Sequence, residues 1–216
     1  MPYLVSGLSG TGEDIALANM FRERKRVFID LLKWDVPALA DSFEVDEFDN
    51  ERATYLVLAK ADGTHLGSMR LLPSDAPNIL GSIFPELCED GAPDDPRIWE
   101  ISRFCLSRGL PAAERRIIRN RLITVAVQFA LDHDIRGYCC VADIGWLSQI
   151  LSFGWRCIPL GLPRQLGCGM TGALLIEISD DTPARMASAG VWMPVGGDGT
   201  DGICPPIPKE SGHAVH

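Results

Sequence analysis

Residues suited to chemistry are concentrated in one short run, Trp99-Glu100-Ile101-Ser102-Arg103-Phe104. An ionisable carboxylate, a hydroxyl and a guanidinium stand here among bulky apolar side chains, a set that could move a proton or hold an anion. Their alternation predicts a strand with one face on a core and the other on something polar. In an ideal strand, Glu100 and Ser102 share one face and Arg103 lies on the other. Such a strand is most often an edge strand with a solvated face, so that interpretation stays open beside a functional one.

A second charged stretch, residues 43–49, has four acids in six consecutive positions, beside and between aromatic residues. Most charge runs are solvated loops. Alternatively, carboxylates close to ring faces would suit a cationic ligand such as an ammonium or a sulfonium.

Two arginines stand at positions where a charge needs an explanation. Arg24 precedes Phe28 by four residues and shares its face of a predicted helix, so it either extends to solvent or holds an anion. Arg70 lies in a predicted strand between Met69 and Leu71. An unpaired charge would be costly there, so we expect it to meet a carboxylate or a ligand anion.

Hydrophobic periodicity predicts the elements that position these groups. An Asp62-Gly63 turn joins two alternating runs into a hairpin, and Pro111 opens the longest helix. The order of elements fits a three-layer α/β domain with a mixed sheet and helices on both faces. The predicted ranges are a helix to about residue 32, strands at 53–60, 65–72 and 99–104, a helix at 112–132, a strand at 137–142, a helix at 143–153, and strands at 155–160 and 173–178.

Composition narrows the function classes. With 216 residues, 46% of them hydrophobic, the chain can build one sizeable core, and we predict one domain. A formal net charge of -9 argues against nucleic acid as the main partner. No run approaches the roughly 18 apolar residues of a membrane span, and the N-terminus lacks a signal-peptide pattern, so we expect a cytoplasmic location. The seven cysteines and four histidines show no metal-ligand spacing, so we expect reduced thiols and no metal.

Taken together, the charged and aromatic positions resemble the signature of the acyl-homoserine-lactone synthases, the autoinducer synthases of bacterial quorum sensing. The resemblance covers about residues 20–160 and is specific, because several separated positions fall in register together. We predict a synthase domain at residues 1–181. After Asp181 the composition shifts to Pro, Gly and small residues, so residues 182–216 are expected to form a tail or cover. The matching positions are Arg24, Phe28, Trp34, Glu44, Asp46, Glu47, Phe48, Asp49, Arg70, Leu71, Leu72, Pro73, Phe84, Glu100, Ser102, Arg103 and Phe104.

This resemblance implies a fold like that of the N-acetyltransferases, with a cleft for an acyl-pantetheine arm. The substrates would be S-adenosyl-L-methionine and a fatty acyl thioester, with no further cofactor. In such enzymes the methionine amine attacks the thioester carbonyl. The methionine carboxylate then closes on its own γ-carbon, which releases methylthioadenosine and leaves the lactone.

The resemblance also implies roles for the polar residues. Glu100 would take the proton from the amine, directly or through a water that Ser102 orders. Arg24 or Arg103 would hold the methionine carboxylate as a fork.

Further residues would surround the substrates. Asp46 and Asp49 would complement the sulfonium and the ammonium. A salt-bridge web that includes Arg70 and shapes the site without touching the chemistry stays open as an alternative. Aromatic walls for the adenine, methionine and thioester sites would come from Phe28, Trp34, Phe84 and Phe104.

Departures from the family pattern concern the acyl donor. Family members that make 3-oxo products usually carry a Thr at the position that matches Cys139. A thiol is a weak hydrogen-bond donor, so an unsubstituted or 3-hydroxy acyl chain is expected. Pocket depth would depend on Phe104, Cys139, Cys140, Trp146 and Leu151.

The predicted helix at residues 143–153 lacks Lys and Arg, although family members that use a carrier protein tend to be basic there. Either Arg115, Arg116 and Arg119 therefore dock an acyl-carrier protein, or the donor is an acyl-coenzyme A.

Two other functions remain open from the sequence. One is an acyltransferase of the same fold that acts on another amine. Such an enzyme should have a glycine-rich loop for the pyrophosphate, and only a weak similarity to that loop is found in Arg108-Gly109-Leu110-Pro111-Ala112. The other is a non-catalytic sensor whose carboxylate and aromatic cleft holds a cation.

Overall fold

The computed structural model of the chain describes residues 2–6, 13–167 and 169–194. Its core is an eight-stranded mixed sheet with a separate two-stranded ribbon. In chain order the elements are β1 (Pro2–Ser6), α1 (Glu13–Arg24), a π-helical segment (Lys25–Leu31), β2 (Ala38–Leu39), β3 (Phe43–Glu44), β4 (Thr54–Ala59), β5 (His65–Pro73), α2 (Ile79–Ile83), a short 3₁₀ helix (Pro85–Leu87), β6 (Ile98–Leu106), α3 (Ala112–Asp132), β7 (Gly137–Asp143), α4 (Ile144–Leu151), β8 (Arg156–Pro159), β9 (Arg164–Leu166), β10 (Gly169–Glu177) and α5 (Thr182–Ser188).

Alternate residues of β4 show that both faces of the sheet are covered. Leu56 and Leu58 pack into the cluster that includes α3, whereas Tyr55 and Val57 pack into the cluster that includes α1. Because successive strand residues point to opposite faces, the two helices lie on opposite sides of the sheet. The predicted three-layer α/β fold is confirmed.

The predicted hairpin and the long helix are also confirmed. β4 and β5 pair antiparallel from Thr54–Leu71 onward, across the Asp-Gly turn. α3 begins directly after Pro111, whose ring fixes a backbone angle suited to a helix start.

The N-terminal helix differs from its prediction in one respect. It is α-helical to Arg24 and continues as a seven-residue π-helical segment that contains Phe28. π-Helical turns are rare and are frequently found at functional sites. Here the wider turn sets the position of Phe28 relative to Trp34, whose backbone N–H donates to the Phe28 carbonyl.

Strand β6, which carries the central run, is an interior strand and not an edge strand. The sheet order is β1-β4-β5-β6-β7-β10-β8, with β9 paired to β10. β6 runs antiparallel to β5 and parallel to β7, but its pairing with β7 covers only the pairs from Ile98–Gly137 to Glu100–Cys139. Beyond Glu100 the two strands diverge, which opens a gap in the middle of the sheet.

The first part of the predicted C-terminal tail or cover is packed on the core. Met186 of α5 is fully buried, and Val191 joins the same cluster as α3. The Met193 backbone N–H donates to the hydroxyl of Thr124. Residues 195–216 lie outside the described residues. Within the described ranges, no helix is long and apolar enough to cross a membrane.

Candidate active site

A β-bulge in β6 determines the geometry of the site. Arg70 pairs with Ser102 and Ser68 pairs with Cys105, so two β6 residues, Arg103 and Phe104, stand opposite one β5 residue. Arg103 takes up the extra residue with a positive φ of 51°. The bulge re-aims its side chain, and Arg103 therefore contacts the same carboxylate cluster as the residues on the Ser102 face.

Asp46 bridges two of the arginines. Arg70 donates to both of its carboxylate oxygens, at 2.5 and 3.1 Å, and Arg103 Nη2 donates to Oδ2 at 2.7 Å. Arg70 Nε also donates to the Ser102 hydroxyl at 3.1 Å. The prediction that Arg70 meets a carboxylate is confirmed. Since Ser102 accepts this bond, its own O–H remains available as a donor.

Arg24 completes this cluster on the α1 side. Its Nε donates to Glu44 at 2.5 Å and its two terminal nitrogens donate to Asp49 at 2.8 Å each. Arg103 Nε donates to the other oxygen of Glu44 at 3.0 Å. Arg24 is almost fully buried, so the alternative in which it extends to solvent is wrong. The acidic stretch is likewise not a solvated loop.

Asp49 is held as a carboxylate by its surroundings. Burial raises its pKa, but the hydrogen bonds and charge of Arg24, with Arg70 beside it, hold that pKa well below its usual range. The Tyr55 hydroxyl adds a hydrogen bond of 2.8 Å. Tyr55 was not predicted, although the strand alternation of β4 places it on the α1 face with Val57.

The network therefore joins three guanidinium groups to three carboxylates, and its charges balance. Arg24 and Arg70 have side chains 1% and 0% exposed, whereas that of Arg103 is 9% exposed. Arg103 is thus the arginine of the network that reaches the adjoining cavity.

Glu100 lies two residues before Ser102 on the same face of β6. Its carboxylate accepts the Leu80 backbone N–H at 2.6 Å and the Ile79 N–H at 3.3 Å, at the start of α2. Burial raises its pKa to about 7, and the two backbone hydrogen bonds and the charges of Arg70 and Arg103 oppose that rise. A carboxylate with such a pKa can accept a proton and release it near neutral pH.

A cavity of about 130 Å³ occupies the gap between β6 and β7. Phe28 and Trp34 form one wall, with their rings stacked at 4.8 Å, and the Arg103 guanidinium lies 5.7 Å from the Phe28 ring centroid. Trp34 is 42% exposed, which marks this side as the entrance. The lining residues are Phe28, Trp34, Met69, Ile101, Ser102, Arg103, Phe104, Ile123, Cys140, Val141, Ala142, Asp143, Trp146, Ile150, Phe153, Trp155 and Ile176.

Some predicted acyl-pocket residues line this cavity and others do not. Cys140, Trp146 and Phe104 line it. Leu151 is 54% exposed, and Ile150 takes its place, because one residue along a helix turns the side chain by about 100°. Cys139 packs with Leu80 and Leu87 on the Glu100 side of the sheet, so its side chain does not contact the cavity, and the expected acyl preference loses its structural basis.

Phe84 and the aromatic residues after α4 also differ from the sequence-based view. Phe84 is half-buried between two core clusters on the α2 side and does not line the cavity. Phe153 and Trp155 line the cavity but were not predicted. Their signal in the sequence is a pair of aromatic residues around Gly154, directly after a predicted helix.

The three arginines predicted to dock a partner have different environments. Arg115 donates to the Ser107 carbonyl at 3.0 Å. Arg119 lies over the Phe153 ring at 4.9 Å and donates to Asn120. Arg116 is exposed. No group of three or more His, Cys, Asp or Glu side chains suited to a metal ion occurs in the part of the chain that the structure describes.

Comparisons with known proteins agree with this geometry. The autoinducer synthase family model matches residues 11–186. The isovaleryl-homoserine lactone synthase of Bradyrhizobium diazoefficiens is 32% identical over 173 residues, which cover 79% of this chain and 76% of that protein. A solved structure of BjaI, a CoA-dependent acyl-homoserine lactone synthase, with SAM and isopentyl-CoA, is 27% identical and has a TM-score of 0.79, over 88% of this chain and 90% of that one.

A more distant structure supports the fold class alone. A putative N-acetyltransferase from Lactobacillus plantarum is 14% identical, with a TM-score of 0.55 over 82% of this chain and 99% of that one. The family match, by contrast, spans the arginine–carboxylate network, Glu100 and every described cavity-lining residue. The chain belongs to the autoinducer synthase family, whose members are acyl-homoserine-lactone synthases.

Proposed function

We propose that this chain makes an acyl-homoserine lactone from S-adenosyl-L-methionine and an acyl thioester. The observation that carries the proposal is the bulge at Arg103, since it brings that guanidinium to the Ser102 face of β6, beside a cavity that splits the sheet. The presence of SAM and isopentyl-CoA in the BjaI structure supports the same choice of substrates.

Glu100 is the proposed base for the first step. The ammonium of S-adenosyl-L-methionine must lose a proton before its nitrogen can attack, and a carboxylate with a pKa of about 7 can accept that proton. Glu100 is buried outside the cavity lining, and Ser102 lies about 7 Å along the strand on the same face. A water held by Ser102 would therefore carry the proton from the amine to Glu100.

The two bond changes then follow in order. The free amine attacks the thioester carbonyl, an amide forms, and the thiol leaves with a proton. The methionine carboxylate next attacks its own γ-carbon, which breaks the carbon–sulfonium bond, releases methylthioadenosine and closes the lactone. Both steps balance without an oxidant, a reductant or a metal.

Arg103 is the residue proposed to bind the methionine carboxylate. It lines the cavity, whereas Arg24 and Arg70 are covered by their carboxylate partners. We assign Arg24, Arg70, Asp46 and Asp49 to positioning Arg103 and Ser102, because their charged groups are bound to one another. Phe28 and Trp34 would hold the sulfonium and adenine through their ring faces.

Mass spectrometry tests the reaction. The protein is incubated with S-adenosyl-L-methionine and with acyl-coenzyme A and acyl-carrier-protein donors, and methylthioadenosine and lactone are measured. We expect both products in equal amounts, and we expect Glu100→Gln to fold but lose most turnover. Glu86→Gln, at an exposed carboxylate, is the matched control with an unchanged rate. Failure of every donor would exclude the synthase function and leave a sensor or another acyltransferase.

A further inference from the structure

We infer that Cys139 is a positioning residue for the proposed base. Its thiol lies beside the Glu100 carboxylate on the β7 side without supplying a strong hydrogen-bond donor, and it thereby sets the pH range in which that carboxylate accepts a proton. The inference rests on the proposed function and adds to it a residue that does not line the cavity.

Strand pairing places the two side chains next to each other. Glu100 and Cys139 are partners in the parallel pairing of β6 with β7, and they form the last pair before the strands diverge. Paired residues of neighbouring strands point to the same face, and the strands are about 5 Å apart. Leu80 shows that this face is covered by α2, since its backbone N–H donates to Glu100 at 2.6 Å and its side chain packs with Cys139. Both residues are 1% exposed, so bulk water does not separate the thiol from the carboxylate.

The other sides of Glu100 are occupied by neighbours of two kinds. Leu72 of β5 is its strand partner on the far side, and α2, which carries no titratable residue, contributes the backbone N–H groups of Ile79 and Leu80. A carboxylate has about four acceptor positions, so these two N–H groups leave capacity for a further donor. The charged and titratable groups around the carboxylate or the thiol are Arg70 on β5, Arg103 on β6, Cys139 and Cys140 on β7, and Cys88 after the 3₁₀ helix.

A neutral thiol at this position favours the protonated form of Glu100. Burial, with the Glu100 charge as a further cause, holds the pKa of the Cys139 thiol well above its usual range, so the thiol adds no charge near neutral pH. An S–H group is a weak donor and replaces little of the hydration that the carboxylate loses on burial. Burial raises the pKa of Glu100 to about 7, against the two N–H groups and the charges of Arg70 and Arg103. A hydroxyl at position 139 would donate to the charged carboxylate and lower that pKa.

A carboxyl titration tests the inference on the full chain. The pKa of Glu100 is measured by carbon-13 NMR of protein labelled at the glutamate side-chain carboxyl, and Glu100→Gln assigns the signal. Cys139→Ser replaces the thiol by a hydroxyl of similar size, and we expect the midpoint of the Glu100 titration to fall by about one pH unit. Cys157→Ser, the same change on the α3 side of the sheet, should leave the midpoint unchanged. An unmoved midpoint in Cys139→Ser would overturn the inference.

Two further variants separate the hydroxyl from packing. Cys139→Ala removes the thiol and adds no donor, so the Glu100 midpoint should stay at that of the unmodified chain. An equal fall in Cys139→Ala and Cys139→Ser would assign the effect to packing and overturn the inference. If Cys139→Ser fails to fold by circular dichroism, Cys139→Thr decides, because it carries a hydroxyl on a side chain favoured in strands.

Kinetics show whether this neighbour acts on the reaction. The acidic limb of the pH profile of kcat/KM reports groups that must lose a proton before the reaction, and the S-adenosyl-L-methionine ammonium contributes equally in every variant. We expect the limb to move to lower pH in Cys139→Ser, together with the NMR midpoint, and to stay in place in Cys157→Ser. A fall in the midpoint without movement of the limb would overturn the role assigned to Cys139. Absence of lactone with every donor would overturn the proposed function, and the titration would still decide whether Cys139 acts on Glu100.

Discussion

Arg103 and Ser102 are neighbours in the chain, and both side chains nevertheless contact the same Asp46–Arg70 ion pair. Ser102 accepts a hydrogen bond from Arg70 Nε, and Arg103 donates to Asp46, which Arg70 also binds. In a regular strand the two side chains would point to opposite faces. The positive φ of Arg103 in the bulge removes that separation. It brings an arginine from the α3 side of the sheet to the polar side of the cavity.

Replacement of this arginine by lysine tests the importance of its forked geometry. Arg103→Lys keeps one positive charge but cannot bind Glu44 and Asp46 through a planar fork. We expect kcat/KM for S-adenosyl-L-methionine to fall by about 100-fold, mostly through KM, with the fold retained. Steady-state kinetics measure this. Arg97→Lys, at a half-buried arginine just before β6 that pairs with Asp95, is the matched control. Equal kinetics for Arg103→Lys and the control would remove Arg103 from carboxylate binding.

Removal of one negative charge from the buried network should destabilise the protein. Asp49→Asn is nearly isosteric but leaves the buried Arg24 with Glu44 alone as a charged partner in the network. We expect the free energy of unfolding at neutral pH to fall by about 3 kcal/mol, because an undercompensated buried charge is costly. Urea denaturation measures the loss. As the control, Asp75→Asn, at an exposed carboxyl, should change the free energy of unfolding by less than about 0.5 kcal/mol. A similarly small effect of Asp49→Asn would contradict the structural role of the network.

The raised pKa of Glu100 leads to a prediction about protein stability that can be tested without measuring enzymatic activity. Its pKa rises from 4.5 to about 7 on folding, so the folded protein binds this proton more tightly than the unfolded chain does. That stabilisation is complete below about pH 4.5 and is lost as pH rises through 7. Glu100→Gln should therefore be more stable than the unmodified chain at about pH 8, by about 3 kcal/mol. The two proteins should be nearly equal in stability at about pH 4.

Urea midpoints of both proteins across this range provide the measurement. A Gln variant that is less stable at high pH would mean that the carboxylate is charged in the folded state and held by the α2 backbone N–H groups. In that case the pKa of Glu100 in the folded protein would lie at or below its ordinary value of 4.5, and its role as a base near neutral pH would lose support.

His65 should have the opposite pH dependence. It is buried on β5 with one ring nitrogen 2.9 Å from the Ser68 hydroxyl, and its Nδ1 has no hydrogen-bond partner among the described residues. Burial lowers its pKa from 6.5 to about 4, so the unfolded chain binds this proton more tightly. The contribution of the neutral His65 to the free energy of unfolding is complete above about pH 6.5 and decreases as pH falls toward 4. Between about pH 7 and 5 the loss is about 2 kcal/mol.

Substitution of His65 separates its effect on the pH dependence of stability from that of Glu100. His65→Gln keeps a polar group near Ser68 but does not titrate, so the variant should gain stability relative to the unmodified chain by about 2 kcal/mol between pH 7 and 5. Chemical denaturation at the two pH values measures the change. His133→Gln, at a mostly exposed histidine at the end of α3, serves as the control. Parallel pH dependence in His65→Gln and the unmodified chain would show that His65 is not the responsible group.

The sequence by itself determined the architecture and most of the polar cluster. Alternation and turn residues predicted the β4–β5 hairpin, and Pro111 predicted the start of α3. The position of Arg70 between apolar residues required a nearby counter-charge, and Asp46 supplies it. These inferences succeed because local periodicity and the cost of burying a charge apply whatever the distant parts of the chain do.

Tertiary structure alone decided which side chains meet at the cavity. The side-chain period of a strand is two residues, so one extra residue in β6 moves Arg103 to the other face. The bulge that contains this extra residue is defined only by the pairing of β6 with β5, which is distant in the chain. The same strand period places Cys140, and not Cys139, against the cavity. On α4 the phase of the helix places Ile150, and not Leu151, at the cavity. Register and helix phase depend on contacts between segments far apart in the chain, and a local pattern does not contain them.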